Sequence, residues 1–359
     1  MIEVALRHRQ GGFTLDVAFS APSPQATVLF GPSGAGKSTI VAAMAGLLRP
    51  QSSRVALGGA ILSDSEAGIW LRPEARRIGM VFQEPRLFPH MSVAANLAYG
   101  QRRAPPGLID TERVVDLLAL RPLLRRQPHT LSGGERQRVA IGRAVLSQPR
   151  LLLMDEPLAS LDAARKAEIL PFLAQLRDTL GIPIVYVTHA MDELVALADH
   201  VVMLDAGRLM AQGTLEHLSA QSGVALAARD DAGSVLVATV LAHDTARRLT
   251  LLRAHALELW APLLPLPVGA RCRIRVLARE IILATAAPRE ISLHNVIPGH
   301  VRAASIDQRR HTAMVEIAAG GCVLLARVTP DALVRLQLAR GAPVLALIKS
   351  VSVELIVAA

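Results

Sequence analysis

Lysine is almost missing from this chain. Of 39 basic residues only Lys37, Lys166 and Lys349 are lysine. Where arginine is the default cation, a retained lysine asks for a chemical reason, because its compact ammonium fits where a planar guanidinium does not. Aromatic residues make up 3%, and the arginines are scattered rather than interleaved with them. The formal net charge of +9 therefore builds no stacking platform, and no nucleic acid partner is expected. The two cysteines, Cys272 and Cys322, lie far apart in apolar surroundings without metal-ligand spacing, which excludes a disulfide framework and reads as reduced structural thiols. No charge-free apolar run approaches the roughly 18 residues of a membrane helix. The best stretch, LELWAPLLPLPVGA, is interrupted by Glu258 and three prolines. The opening MIEVALRHRQ alternates charged and apolar residues and has no signal-peptide pattern. The expectation is a soluble, cytosolic chain, with docking on a membrane partner left open. Its 359 residues suffice for two or three domains with their own cores.

What is present begins with one of those lysines. GPSGAGKS, comprising Gly31, Pro32, Ser33, Gly34, Ala35, Gly36, Lys37 and Ser38, matches the phosphate-loop pattern in full, with Thr39 following. The buried-strand pattern ATVLF precedes it and the apolar helix pattern TIVAAMAGLL follows. Glycines let successive N–H groups turn toward a triphosphate at a helix N-terminus. Lys37 would reach the β- and γ-phosphates of ATP, and Ser38 would ligate Mg²⁺. Lys166 follows LDAAR on a helix face and reads as solvated surface.

Further on, PRLLLMDEP reads as a buried parallel strand that delivers Asp155 and Glu156 at its C-terminal edge, where open α/β sheets bind ligands. Asp155 suits the outer shell of Mg²⁺, and Glu156 suits a base that polarises attacking water. A second strand, IPIVYVT, ends at His189. A histidine there is either a satisfied structural residue or a γ-phosphate contact, and the convergence of three strands on one nucleotide favours the contact. LSGGERQRVAIGRA, residues 131 to 144, sets Ser132, Gly133 and Gly134 before an arginine-rich helix, an anion cradle with no lysine of its own.

With these motifs in this order, residues 1 to 220 resemble the ATPase subunit of an ATP-binding-cassette (ABC) transporter. The resemblance implies two cassettes facing head to tail, so that Ser132, Gly133, Gly134 and Glu135 close over ATP held by the partner's phosphate loop. It implies that Gln83 in VFQEP sits near Mg²⁺ and the attacking water and reports to a membrane partner. Asp162 in SLD belongs to the loop between the two sites, and Phe13, 24 residues before Lys37, stacks on adenine. Glu135 stands where the commonest family form has glutamine. Residues 84 to 145 read as the family's helical subdomain, and the groove beside the Gln83 loop would receive a permease helix. Leu87, Phe88 and Met91 look exposed for that contact or, alternatively, pack inside the insert.

From about residue 230 the pattern changes to short β-rich runs with Gly and Pro turns. VGARCRIRVLAREIIL at 268 to 283 aligns with RGAPVLALIKSVSVEL at 340 to 355, an offset of 72. The expected architecture is an α/β P-loop NTPase (an ABC ATPase core with helical subdomain) over 1–229. An all-β, OB-like barrel domain follows over 230–359, in halves 230–288 and 289–359. SLHNVIPGHV and ALIKSVS resemble the TOBE, or molybdopterin-binding-protein-like, domain, and the combination most resembles ATPase subunits of molybdate importers. This implies that Ser292, Lys349 and Ser350 bind molybdate or tungstate as a regulatory ligand, with His294 where arginine is common. The alternative is that Lys349 only guards a sheet edge. The implied assembly is a homodimer of ATPase subunits with two transmembrane permease subunits and, indirectly, an external binding protein, at the cytoplasmic face of the cell (inner) membrane. Other readings are another oxyanion or sugar importer, a soluble non-transport ABC ATPase, and an oxyanion storage protein.

Overall fold

Five consecutive buried residues, Ala26–Phe30, form a strand with no solvent face. Such a strand must be covered on both sides, and it lies inside a parallel block. In this computed structural model, which describes residues 1–102, 104, 107 and 109–358, the neighbours are His200–Asp205 on one side and Ile184–Thr188 on the other. Leu151–Asp155 and Ile78–Val81 follow, all parallel. Strand Arg208–Thr214, parallel to Phe13–Ala21, joins this block to Phe13–Ala21, Ile2–Gln10, Ser52–Leu57, Ala60–Asp64 and Ile69–Trp70, the last five antiparallel to one another, in an 11-stranded sheet. The strands bearing the phosphate loop, Asp155 and His189 are thus consecutive, and their carboxyl ends share one edge.

Helix Lys37–Ala45 is fixed at both ends. Gly36, its N-cap, has φ 94, and a Cβ there would lie 2.8 Å from Leu15 Cδ1, so only glycine satisfies both conformation and space. At the other end the guanidinium of Arg76, 1% exposed, donates to the carbonyls of Ala43 and Met44 at 2.9 and 2.8 Å and to Leu71 O at 2.9 Å. A cation on the last-turn carbonyls complements the helix dipole. The same group lies 4.5 Å over the Trp70 ring.

In the insert, helices Val93–Arg102 and Gly133–Leu146 cross where Gly100 and Gly142 meet the opposite helix. A Cβ on Gly100 would reach Arg143 O at 2.4 Å, and one on Gly142 would reach Leu97 Cδ2 at 2.9 Å. Helix Thr111–Leu117 completes the insert, capped by Asp110.

The chain divides into compact units Met1–Gly213 and Thr214–Ala359. The expected boundary near 229 is therefore displaced: residues 214 to 229 belong with the β unit. Hydrogen bonds explain this. Ser219 Oγ accepts Val235 N–H at 3.0 Å, and Ser222 donates through N and Oγ to Glu316 Oε1 at 2.7 and 2.8 Å. Arg327 donates to Ala227 O.

The second unit consists of two curled antiparallel five-stranded sheets, half-barrels of OB-like form. The 72-residue repeat is structural: Arg271–Leu277, the turn Ala278–Glu280 and Ile281–Ala284 recur as Pro343–Ile348, Ser350–Ser352 and Val353–Ala358. The expected halves are not separate bodies, because they exchange these last strands. Ile281–Ala284 pairs with Pro343–Ile348, and Val353–Ala358 pairs with Arg271–Leu277. One apolar core runs through both sheets.

Replacing Arg76 with Met should keep the bulk but take the guanidinium donor from Met44 O and leave Ala43 O with the Gly46 N–H alone. Losing hydrogen bonds to a charged group costs about 1.5–3 kcal/mol. Urea unfolding followed by Trp70 fluorescence in a Trp260→Phe background should show that loss; an unchanged midpoint would remove Arg76 from this role.

Candidate functional site

The phosphate loop leaves strand Ala26–Phe30 and turns so that Pro32, Ser33 and Gly34 are exposed while Ala35 and Lys37 are buried. Ala35 N–H closes the turn on Pro32 O at 3.2 Å. Thr39 lies half-buried in the first turn of the helix. Lys37 Nζ donates to Gly31 O and Pro32 O, both at 2.8 Å, and lies 3.7 Å from Glu156 Oε1. Burial lowers its pKa, with the charges of Glu156 and Asp155 acting against that shift. Ser38 Oγ donates to Asp155 Oδ1 at 2.9 Å. Desolvation raises the Asp155 pKa, helped by Glu156 and opposed by Ser38 and Lys37.

Glu156 is the hinge of the constellation. Its φ of 43 is left-handed, and its N–H is tied to Val187 O at 3.2 Å. A non-glycine residue held there is strained by about 1–3 kcal/mol. The turn sets its carboxylate between Lys37 and His189, whose Nδ1 is 3.3 Å from Glu156 Oε1. Phe13 packs at the same place: a Cβ on Gly36 would meet its ring at 3.1 Å. Gln83 is exposed and lines one groove with Phe82, Glu84, Pro85, Arg86, Asp155 and Ser160.

Ser132 and Glu135 form a reciprocal capping box on helix Gly133–Leu146: Glu135 N–H donates to Ser132 Oγ at 3.2 Å, and Ser132 N–H to Glu135 Oε2 at 2.7 Å. That backbone N–H holds the Glu135 carboxyl below its usual range. Glutamate thus serves the capping role open to glutamine and adds a charge favourable at a helix N-terminus. Gly133 and Gly134 face Leu161 and Ile169. Asp162 caps helix Ala163–Leu180 through Arg165 N–H at 2.9 Å. Among the described residues, no hydrogen bond or ion pair joins the 132–135 loop to residues 31–39 of the same chain.

Three features stand out: the first and third escaped the sequence reading, and the second decides between its two alternatives for Phe88. Lys166, expected on the surface, is bonded at 2.8 Å to Glu193, which is 2% exposed. Glu193 also accepts from Tyr186 OH at 2.9 Å and Thr188 Oγ1 at 2.8 Å, so it braces the strand end that presents His189. Second, Phe88 is half-buried against Tyr99, ring centroids 4.4 Å apart, with Arg143 over its face; Leu87 and Met91 are half-buried too. Packing inside the insert is therefore the role of the Phe88 ring. Third, Asn96 and Arg143 fix that loop by bonding the backbone of Phe88, Met91, Ser92 and Arg86. An apolar helix face hides such residues from sequence inspection.

In the second unit, Asn295 pairs with Ile348, which draws the preceding segment alongside Lys349 and Ser350. Ser350 Oγ is 2.9 Å from His294 Nδ1. Lys349 and Ser292 are exposed and Ser350 is buried. Asn295 itself is spent on structure, its amide exchanging two hydrogen bonds with the backbone of Trp260 at 2.6 and 2.9 Å.

Chemically, the first site offers a buried ammonium, an opened helix N-terminus and a carboxylate beside an imidazole. Its remaining donors, Ser38 Oγ, Asp155 and Gln83, are oxygen ligands that suit a hard cation such as Mg²⁺. Glu193→Ala should leave the Tyr186 hydroxyl unpaired, while Lys166 can turn to solvent. The expected loss is about 1–3 kcal/mol in urea unfolding, together with slower ATP turnover as His189 loosens. Wild-type stability would remove Glu193 from this role.

The ABC transporter family matches residues 15–159, and the TOBE domain family matches residues 291–355. Among solved structures, CbiO1 from Clostridium perfringens, part of the ABC transporter complex CbiONQ, superposes with TM-score 0.53 at 28% identity over 62% of this chain and 91% of its own. The ADP conformation of an ATP-binding cassette of an ABC transporter gives TM-score 0.52 at 25% identity over 60% and 91%. The molybdenum import ATP-binding protein ModC of Granulibacter bethesdensis is 48% identical over 99% of this chain and 98% of its own length. That of Mesorhizobium japonicum is 45% identical over 98% and 96%. With the nucleotide loop, the carboxylate strand and the β-rich unit in one continuous match, the chain belongs to the ModC family of molybdenum import ATP-binding proteins.

Proposed function

We infer that this chain is the ATP-hydrolysing, energy-coupling subunit of an ABC importer for molybdate. The observation that carries this reading is the match along 99% of the chain, at 48% identity, to a molybdenum import ATP-binding protein. Tungstate, a tetrahedral dianion of the same charge, is the alternative ion.

In this reading, Gly31 to Thr39 cradle the phosphates of ATP, Lys37 neutralises the β- and γ-phosphates, and Phe13 stacks on the adenine. Ser38, Gln83 and Asp155 would hold Mg²⁺, which would supply positive charge to the phosphates when bound. Glu156 accepts a hydrogen bond from a water, whose oxygen attacks the γ-phosphorus as the bond to the ADP oxygen breaks, giving ADP and phosphate. His189 contacts the γ-phosphate. The capping box leaves Ser132 exposed at a helix N-terminus, a second anion seat with no lysine. A second copy of the chain supplies the missing phosphate loop, with Asp162 between the two sites, so hydrolysis requires closure of a homodimer. The groove at Gln83 receives two transmembrane permease subunits, one per cassette, which places the chain peripherally at the cytoplasmic face of the cell inner membrane; an external binding protein acts through the permease. Among the described residues no helix is long and apolar enough to cross a membrane.

Glu156→Gln should abolish steady-state hydrolysis but keep ATP binding, and sedimentation with Mg-ATP should show a trapped dimer. Turnover near the wild-type rate, or monomers only, would count against the assignment.

The second unit senses the transported oxyanion through Lys349, Ser350 and Ser292. The first-half counterpart of Lys349 and Ser350 is Leu277 and Ala278, which offers no side-chain donor. Removing a charged hydrogen bond lowers affinity roughly 10- to 150-fold. Calorimetry of molybdate with the full chain should show that loss in Lys349→Ala; equal binding by the variant leaves Lys349 as an edge residue.

A further inference from the structure

Two hairpin tips of the second unit meet beside a short helix. His255 stands at φ 51 in the turn after strand Leu249–Ala254, and Cys322 follows the Gly320-Gly321 turn after strand Thr312–Ala319. Ala256 N–H donates to Gly320 O at 2.9 Å, which fixes one tip on the other. Glu216, in helix Leu215–Ser219, brings its carboxylate 3.4 Å from His255 Nε2. One ligand atom each from Glu216, His255 and Cys322 lies within 4.8 Å of the other two. The three residues line one cavity, together with His217, Gln221 and Arg302. Arg302 already faces Glu316, Nε to Oε2 3.8 Å.

A thiolate, an imidazole and a carboxylate are the ligand types of a zinc site with one open position, whereas Mg²⁺ and Ca²⁺ take oxygen ligands. Zinc–ligand bonds of about 2.0–2.3 Å place tetrahedral ligands roughly 3.3–3.8 Å apart. The His255–Glu216 pair has this separation at 3.4 Å, so a small movement of the thiol closes the set. We propose that Glu216, His255 and Cys322 bind one divalent cation of the zinc class, which clamps helix Leu215–Ser219 to the tips of both hairpins. Water takes the fourth position. Burial and the Glu216 charge push the Cys322 thiol up to about 11, and its S–H donates to Ala254 O at 3.4 Å. A bound cation would hold the thiolate and offset the carboxylate. The first unit contributes no ligand, so the site stands or falls independently of the ATPase reading.

The test uses the full-length, nucleotide-free chain stripped with a chelator, then titrated with Co²⁺ and afterwards Zn²⁺. The expected result is one Co²⁺ per chain with a thiolate-to-cobalt charge-transfer band, bleached by one equivalent of Zn²⁺. Cys322→Ser should abolish the band, and Cys272→Ser should leave it. His255→Asn keeps a residue tolerant of positive φ and should weaken Zn²⁺ by more than the roughly 10- to 100-fold typical of losing an outer-shell partner. Absence of the band from the wild-type chain, its survival in Cys322→Ser, its loss in Cys272→Ser, or unchanged Zn²⁺ affinity in His255→Asn would each overturn the site. The last measurement decides the matter even if Cys322→Ser does not fold.

Discussion

An ammonium group 4% exposed to solvent governs the geometry of the first unit. Burying Lys37 is tolerable only because two backbone carbonyls and a carboxylate meet it, and those partners come from different parts of the chain. The carbonyls require the phosphate loop to fold back on itself, and the carboxylate requires Glu156 to leave its strand in a left-handed turn. Both requirements are met because strands Ala26–Phe30, Ile184–Thr188 and Leu151–Asp155 are consecutive and parallel, so their ends arrive at one edge. A compact ammonium fits this space; a guanidinium, planar and wider, would not sit between the same carbonyls.

Arginine does the remaining buried work. Arg76 closes the far end of the phosphate-loop helix, and Arg143 with Asn96 holds the loop carrying Phe88 against the insert. In each case a planar fork reaches several backbone carbonyls at once. The lysines follow a different rule: Lys37 sits in a cage of carbonyls, Lys166 meets a single carboxylate, and Lys349 remains exposed beside the Ser350–His294 pair. The near absence of lysine is thus a division of labour between a fork and a point charge.

The second unit is organised by exchange. Each half gives its last strand to the other half's sheet, so neither sheet is complete without the other and one apolar core serves both. The exchanged strands follow equivalent short turns, Ala278–Glu280 and Ser350–Ser352, and the later turn begins directly after Lys349. The Ala256 N–H to Gly320 O hydrogen bond joins the two hairpin tips and, with them, side chains that sit far apart in sequence.

The sequence alone determined the nucleotide loop, the strand ending in Asp155 and Glu156, the Ser-Gly-Gly start of the arginine-rich helix at 132 and the 72-residue repeat, because each is written in a short local pattern whose geometry has few solutions. It also determined the family resemblance that the near-full-length relatives bear out. Tertiary structure decided what local patterns cannot carry. Lys166 looked like surface because its partner, Glu193, lies 27 residues away and is concealed by the fold. The boundary moved to residue 213 because Ser219, Ser222 and Ala227 find their partners in later strands. The two halves interlocked because strand exchange satisfies sheet edges that periodicity cannot assign. Cys322 read as a plain buried thiol, since Glu216 and His255 become its neighbours only when a helix and two hairpin tips converge. Hydrogen bonds and ion pairs act through a few ångströms of space, and chain distance says little about which groups will share it.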